Sequence, residues 1–338
     1  MPVDSPLYIV VLAAGKGTRM KSAKAKVLHE LFFAPMVHHV LHAIAPLQPT
    51  KSIVIVGHQR EAVRKSLVDF PVELVVQEEQ LGTGHAVLCA AAAIEKMAGS
   101  VLILCGDTPL IRSATLQAML DSHNKQDATL TVMTTILDNP THYGRIISST
   151  AGDVQDIVEE KDANGQQKQI KEINAGIYCI QTRFLFSHLK NIGTDNSQGE
   201  VYLTDIVTQA VKANLSVQKF INPEPADVLG VNARFELSQA HQQLQLRRNK
   251  NLMKEGVSML NPQTIHVSPE SSIARDVTLH PGVEIRGNST VGSNSQILTG
   301  AILNNVSVGD NCVIGSYSCL EECSIKDDTR IAAHTHRC

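Results

Sequence analysis

The sequence predicts an α/β domain on a mostly parallel, mixed sheet, followed by a short parallel β-helix. Two observations carry this reading. Over the first two-thirds of the chain, short runs dense in Val, Ile and Leu alternate with helical stretches. That is the pattern of strand–helix–strand units with right-handed crossovers. Further on the period changes. Ile273, Leu279, Ile285, Val291, Ile297 and Leu303 are spaced by six. After a five-residue step come Val308, Ile314 and Leu320, and after another five come Ile325 and Ile331. Small and polar residues fill the intervals, with Gly282, Gly287, Gly292, Gly309 and Gly315 among them. Such a repeat places one inward aliphatic side chain on each short strand of a coil. A meander of ordinary strands would instead alternate at every second residue.

In chain order, residues 8–12, 53–56, 74–76, 101–104 and 130–133 read as strands. They are apolar throughout and bounded by Gly, Pro or polar residues, which suits strands covered on both faces. Residues 36–45, 61–68, 84–97 and 113–123 read as the intervening helices. Beyond Ile136 the pattern loosens, and residues 144–147, 157–158 and 177–180 read as further strands of a mixed sheet. Pro223 and Pro225 mark a loop. Residues 234–255 read as one long polar helix, with Leu237, Ala240 and Leu244 at helical spacing and Gly256 placed to end it. The division expected is residues 1–232, a connecting helix 233–256 and a repeat region 257–338.

Composition narrows the function. The 338 residues are 43% hydrophobic, enough for a large core and too apolar for a disordered chain. A net charge of −3 argues against a generic nucleic-acid binder, and 4% aromatics without Trp against a stacking platform for single strands. Seven cysteines, none in a C-x-x-C pair and several inside apolar runs, read as reduced thiols of a cytoplasmic protein. The apolar run 8–14 is too short to span a bilayer, and no basic leader precedes it.

Three segments carry chemistry. Leu12-Ala13-Ala14-Gly15-Lys16-Gly17-Thr18-Arg19-Met20 follows a strand directly. Its glycines permit a tight turn, and its backbone N–H groups with Lys16 and Arg19 suit phosphates. The dinucleotide fingerprint fails, because Met20 stands where a third Gly is needed, and no G-x-x-x-x-G-K-[ST] run occurs. Gly106-Asp107-Thr108-Pro109 lies at another strand end, where a hard carboxylate suits Mg2+ bridged to substrate phosphates. A turn-forming Asp before Pro explains the same residues without a metal. Gln77, Gly82 and Thr83 offer an amide for a base edge, a close backbone approach and a helix cap. His38 and His42 are four apart on a helix, but no third ligand follows, so a core or surface role is the better reading. Glu159, Glu160 and Lys161 read as a solvated hairpin, and Cys319 and Cys323 as coil-lining or corner residues.

Taken in order, these segments resemble a known family. The motifs are the 12–20 run, Lys26-Val27-Leu28-His29, residues 80–85, Gly106-Asp107, Tyr143-Gly144-Arg145-Ile146, Ile157-Val158-Glu159, Glu172-Ile173-Asn174-Ala175-Gly176, residues 199–205 and Gly230-Val231-Asn232. The family is the bacterial bifunctional N-acetylglucosamine-1-phosphate uridylyltransferase / glucosamine-1-phosphate acetyltransferase. The resemblance implies a Rossmann-like nucleotidyltransferase domain and a left-handed β-helix that assembles as a homotrimer. It implies that Leu12, Ala13, Ala14, Gly15, Gln77, Gly82 and Thr83 hold the uridine nucleotide, and that Lys16, Arg19 and Lys26 contact phosphates, with Arg19 and Lys26 the catalytic pair. Asp107 and Asn232 would bind Mg2+. Gly144, Glu159, Asn174, Tyr202 and Thr204 would hold the amino sugar.

The implied reaction joins UTP and N-acetylglucosamine 1-phosphate into UDP-N-acetylglucosamine and pyrophosphate, a precursor step for peptidoglycan and lipopolysaccharide. Two other readings stay open here: another sugar-1-phosphate nucleotidyltransferase, and a non-catalytic transferase-like scaffold. Three departures from the family stand out. Cys105 replaces the usual Tyr, and Ala25 replaces a Pro before Lys26, which is expected to loosen that loop. The repeat region amounts to about four 18-residue coils. The family's acetyl-transfer residues lie beyond it, so no acetyl transfer is expected of this chain.

Overall fold

The apolar runs of the first part of the chain become strands of one nine-stranded sheet. The computed structural model describes residues 5–337. It divides into two units, Met1–His29 with Pro35–Glu236, and Glu30–Ala34 with Leu237–Cys338. The strands of the first sheet are β1 (Leu7–Ala13), β2 (Lys51–Val56), β3 (Glu73–Val76), β4 (Ser100–Cys105), β5 (Leu130–Ile136), β6 (Arg145–Ser148), β7 (Val154–Val158), β8 (Glu172–Gln181) and β9 (Val217–Ile221). Their order is β9-β5-β8-β4-β1-β2-β3, with β6 pairing β8 and β7 off that path. β1 runs parallel to β2 and β4, β2 to β3, and β5 to β9. β8 is antiparallel to β4 and β5, so the sheet is mixed.

Both faces of this sheet are covered, which is why its inner strands show no polar alternation. Ile9, Val11, Val54, Leu102 and Leu104 pack with the helices Met36–Ile44 and Ser113–Lys125 on one face. Val10, Ile53, Ile55, Val101 and Ile103 pack with Thr83–Cys89, Thr182–Leu189 and Asp205–Lys212 on the other. Leu12 lies level with Cys105 in the parallel pair, and Gly106 N–H donates to Leu12 O at 2.9 Å. Two of the three chemistry-bearing segments thus leave the sheet side by side, at its C-terminal edge.

Some elements differ from the sequence reading. The helix read over 84–97 breaks at Ala90 into Thr83–Cys89 and Ala91–Ile94. There Ala90 N–H donates to Val87 O and Ala93 N–H to Ala90 O, both at 3.0 Å, so three-residue turns interrupt the α ladder. β9 escapes the sequence reading because this half-buried edge strand is interrupted by Gln218 and Lys219 and carries a weak apolar signal. Among the described residues, no helix is long and apolar enough to cross a membrane.

The second unit is the left-handed β-helix, with sheets of five, five and four short parallel strands. Leu279, Ile285, Ile297, Leu303, Ile314 and Leu320 fill its interior, each fully buried. Left-handed backbone angles at Asp276, Asn294, Asn305, Asn311 and Asp328 lie between its strands, and Asn and Asp tolerate that conformation best after Gly. The coils are not uniformly 18 residues. Ile285 pairs with Leu303, but Leu303 pairs with Leu320, 17 on. The five-residue steps 303–308 and 320–325 fall at the same corner of successive coils, so the shortened corners stack and the ladder stays in register. The cysteines follow the same logic. All six described ones are free, Cys319 lies in a strand, Cys323 packs against the interior, and Cys338 lies outside the described residues.

The polar helix forms over Arg234–Lys254. Its most buried side chains include the polar Gln245 and Asn249 rather than Leu237 and Leu244. Gln245 Nε2 donates to Ile265 O at 2.8 Å and Gln263 O at 2.9 Å, and Asn249 Nδ2 to Pro262 O and Ile265 O, both at 2.8 Å. The first residues of the β-helix lack a preceding coil, and these amides satisfy their carbonyls. Asn249→Leu leaves that set short of a buried donor and is expected to destabilise the unit by ~1–3 kcal/mol. Urea unfolding followed by circular dichroism measures this, and a midpoint equal to wild type would count against it.

Candidate active site

The strand-end loop after β1 is shaped by one glycine more than the other. Gly17 has φ +61°, and a Cβ there would stand 2.5 Å from Lys26 Cβ. Gly15 meets no atom within 4 Å of an added Cβ, so it leaves open space instead. Gly17 therefore lets Lys26 lie against the loop. Lys26 in turn reaches across to the end of β4, where its Nζ ion-pairs with the Asp107 carboxylate and donates to Asn232 Oδ1 at 2.7 Å. Arg19 Nη2 donates to the same Asn232 oxygen at 2.8 Å. Backbone bonding fixes the third partner, since Val231 N–H donates to Asp107 O at 2.8 Å. The Glu236 carboxylate accepts the N–H groups of Asn232 and Ala233, capping the helix that follows.

Beside this cluster opens a cavity of about 520 Å³. Every residue read from the sequence for nucleotide, phosphate or metal lines it: Leu12, Ala13, Ala14, Gly15, Lys16, Arg19, Lys26, Gln77, Gly82, Thr83, Asp107 and Asn232. Ala86 lines it too and carries no signal in the sequence, while Val27 and Glu200 line it from within motifs that gave them no role of their own. Gln77 is buried, and its Nε2 donates to His85 Nδ1 at 3.0 Å and Gly82 O at 3.2 Å. Gly82 has φ +110°, and a Cβ on it would lie 2.5 Å from Val201 O. Thr83 does not cap its helix. Its Oγ1 accepts the Leu203 N–H at 3.0 Å, so the hydroxyl ties the 201–203 segment to this wall.

The residues read for the amino sugar gather around Glu159, with one exception. A Cβ on Gly144 would lie 3.4 Å from Glu159 Oε2 and 3.6 Å from Asn174 Cβ. Asn174 N–H donates to Gly144 O at 2.9 Å, and Thr204 Oγ1 donates to Glu159 Oε1 at 3.3 Å. Burial holds the Glu159 carboxyl above its usual range, against the Thr204 hydrogen bond. Asn174 also donates to Tyr178 Oη at 2.6 Å and accepts the Gly176 N–H at 2.9 Å. Tyr202 is the exception in its bonding, its hydroxyl bonded to Gln198 Nε2 at 2.8 Å and Asp162 Oδ2 at 3.3 Å, although it and Glu159 both line a second cavity of about 390 Å³. The charge run is solvated only in part, with Lys161 exposed and Glu159 and Glu160 half-buried. Glu160 pairs with Arg145, whose guanidinium is wholly buried.

Residues 9–173 match the MobA-like NTP transferase domain. Over 333 residues the chain is 53% identical to the bifunctional protein GlmU of Desulfotalea psychrophila, covering 98% of each. The chain belongs to the bifunctional GlmU family. The bifunctional protein GlmU of Geotalea daltonii is 44% identical over 305 residues, 90% of this chain and 66% of that one. That of Pelobacter propionicus is 40% identical over 328 residues, 97% of this chain and 71% of that one.

Two departures from the GlmU pattern have structural answers. Cys105 lines the cavity as a neutral thiol, because burial, reinforced by the Asp107 charge, pushes it up to about 12. Ala25 does not loosen its loop. Its φ of −53° and ψ of 137° suit a proline, yet its N–H donates to Gln59 Oε1 at 2.8 Å while Gln59 Nε2 donates to Ala23 O. The Gln59 carboxamide brackets the segment before Lys26, a link invisible to local sequence reading because 34 residues separate the partners. His38 and His42 form no metal pair. His38 Nε2 bonds Ser66, and both rings pack on Phe70.

The Gly82 geometry gives a direct test of whether this cavity serves nucleotidyl transfer. Gly82→Ala places a side chain in a left-handed conformation and against backbone, strain of order 1–3 kcal/mol at the cavity wall. Nucleotidyl-transfer kcat/KM should fall at least tenfold, with far-ultraviolet circular dichroism unchanged. Steady-state kinetics reading wild-type values would show that this wall does not contact the nucleotide.

Proposed function

We propose that this chain transfers a uridylyl group from UTP to N-acetylglucosamine 1-phosphate, giving UDP-N-acetylglucosamine and pyrophosphate for cell-envelope precursors. The single observation behind this reading is the convergence of Lys26, Asp107, Arg19 and Asn232 in the wall of one glycine-shaped cavity of about 520 Å³. Membership of the GlmU family supports the substrate pair, and the Gly144–Glu159–Asn174 cluster supplies polar groups suited to an N-acetyl sugar. A cytoplasmic location follows from these substrates.

A sugar 1-phosphate has a second pKa of about 6, so it arrives at neutral pH largely as a dianion and is its own nucleophile. No protein base is required. The task left to the protein is in-line alignment and neutralisation of charge on the α-phosphate and the leaving pyrophosphate. Lys16 and Arg19 are exposed cations at the cavity, and Lys26 is held deeper by its oxygen partners. The donor set fits Mg2+. Asp107 and Asn232 bring a carboxylate and a carboxamide oxygen to the same Lys26 ammonium, and a hard ion that keeps water and phosphate ligands needs few protein oxygens. Among the described residues no group of three or more His, Cys, Asp or Glu is arranged to hold a metal ion. Mg2+ held by Asp107 and Asn232 would supply charge neutralisation on the phosphates.

Asp107→Asn should lower turnover about 100-fold or more in a pyrophosphate-release assay with Mg2+. The same assay, run with UTP, dTTP and CTP against several sugar 1-phosphates, identifies the substrates. It should select UTP and the N-acetyl compound over glucosamine 1-phosphate, because a site built to bond a substrate group rejects analogues lacking it. Near-normal turnover by Asp107→Asn at saturating Mg2+ would remove the metal assignment.

The reading assigns no acetyl transfer to these 338 residues. It includes a homotrimer through the β-helix, whose closed cyclic symmetry leaves no open contact. Light scattering over a dilution series reads this directly, and a concentration-independent monomer mass would exclude the trimer.

A further inference from the structure

Arg145 is among the largest fully buried side chains of the protein, at 1% exposure. A buried guanidinium is tolerated only where fixed partners surround it. Nη2 donates to Glu160 Oε2 at 2.7 Å and approaches Lys168 O at 3.5 Å, while Nη1 donates to Tyr143 O. Its Nε finds no protein partner. Against desolvation, the Arg145 hydrogen bond and charge, with the His142 backbone N–H, hold the Glu160 carboxyl below its usual range. The pair therefore ties together the loop before β6, the end of β7 and the turn Gln167–Gln169.

What these segments carry is the sugar cluster. Arg145 opens β6 and pairs with Val158 at the end of β7 and with Ile173 of β8. Gly144 precedes it, and Glu159 follows Val158. Side chains along an extended segment alternate between faces. Gly144 and Glu159 thus meet each other on one side, as the 3.4 Å approach shows, while Arg145 and Glu160 meet on the other. Neither charged residue lines either of the cavities described.

We propose that the Arg145–Glu160 ion pair is the positioning element of the amino-sugar pocket, setting the separation of Gly144, Glu159 and Asn174 from behind. This rests on the reading of those three residues as sugar contacts. A buried guanidinium with several fixed acceptors gives a geometry that neither an ammonium nor an uncharged amide partner reproduces. Loss of the pair lets the open end of the β6–β7 hairpin widen. It changes how the sugar is gripped and leaves the nucleotide wall, built from β1, β4 and Gln77–Thr83, as it was.

Glu160→Gln keeps shape and one acceptor but removes the charge, and Arg145→Lys keeps the charge but loses the fork. Both are compared with wild type for KM of each substrate, kcat, and preference for N-acetylglucosamine 1-phosphate over glucosamine 1-phosphate. The expected result is a sugar-phosphate KM raised about tenfold, a similar loss of sugar preference, and a UTP KM within about twofold of wild type. Sugar KM and preference unchanged in a folded variant would overturn the inference. So would an equal rise in both KM values, or two variants that are unfolded at assay temperature, since these mark a purely structural pair. Wild-type chain that turns over no amino-sugar phosphate would overturn the substrate reading, and this inference with it.

Discussion

The Lys26 ammonium group is the point at which distant parts of the chain meet. It lies against the loop after β1, bonds the carboxylate at the end of β4 and takes the carboxamide of Asn232 more than 200 residues away. A cation that is 12% exposed must find oxygens, and the residues that supply them are anchored through their own backbone groups. Val231 clips to Asp107, Glu236 caps Asn232, and Gln59 brackets the residues before Lys26. Much of the cavity wall takes its place from this arrangement.

The same rule governs two further sites, with different chemistry. Arg145 and Glu160 satisfy one another behind the Gly144–Glu159 contact, so a charge pair away from the cavities fixes the spacing of uncharged and acidic pocket groups. Gln245 and Asn249 satisfy the carbonyls that open the β-helix, where no earlier coil exists to do so. In each case the polar residue is buried because unpaired backbone or charge would otherwise be left dry.

The β-helix shows how a solenoid absorbs irregularity. Its interior needs one aliphatic residue per strand, and its ladders need each strand to meet the next in register. A corner shortened by one residue leaves the strands in register: the five-residue step 303–308 stacks on the six-residue step 285–291 on one side and on the five-residue step 320–325 on the other.

Much of the fold was legible in the sequence. The doubly covered strands betray themselves by uninterrupted apolar runs, and the coils by their six-residue spacing, because both are local periodicities. The residues at strand ends were legible too: Gly17, Lys26 and Asp107 sit in short motifs whose chemistry is compact. What stayed hidden was pairing over long separations. Nothing in Glu159-Glu160-Lys161 says that one acid faces a pocket and the next a buried arginine. Nothing in Ala25 says that Gln59 holds its N–H, and nothing in a polar helix says that its amides are its anchor. Local sequence determines which elements form and which residues end them. Only the tertiary structure decides which polar groups are buried and with whom, because burial is a property of the packed chain and each buried donor or acceptor must find its partner there.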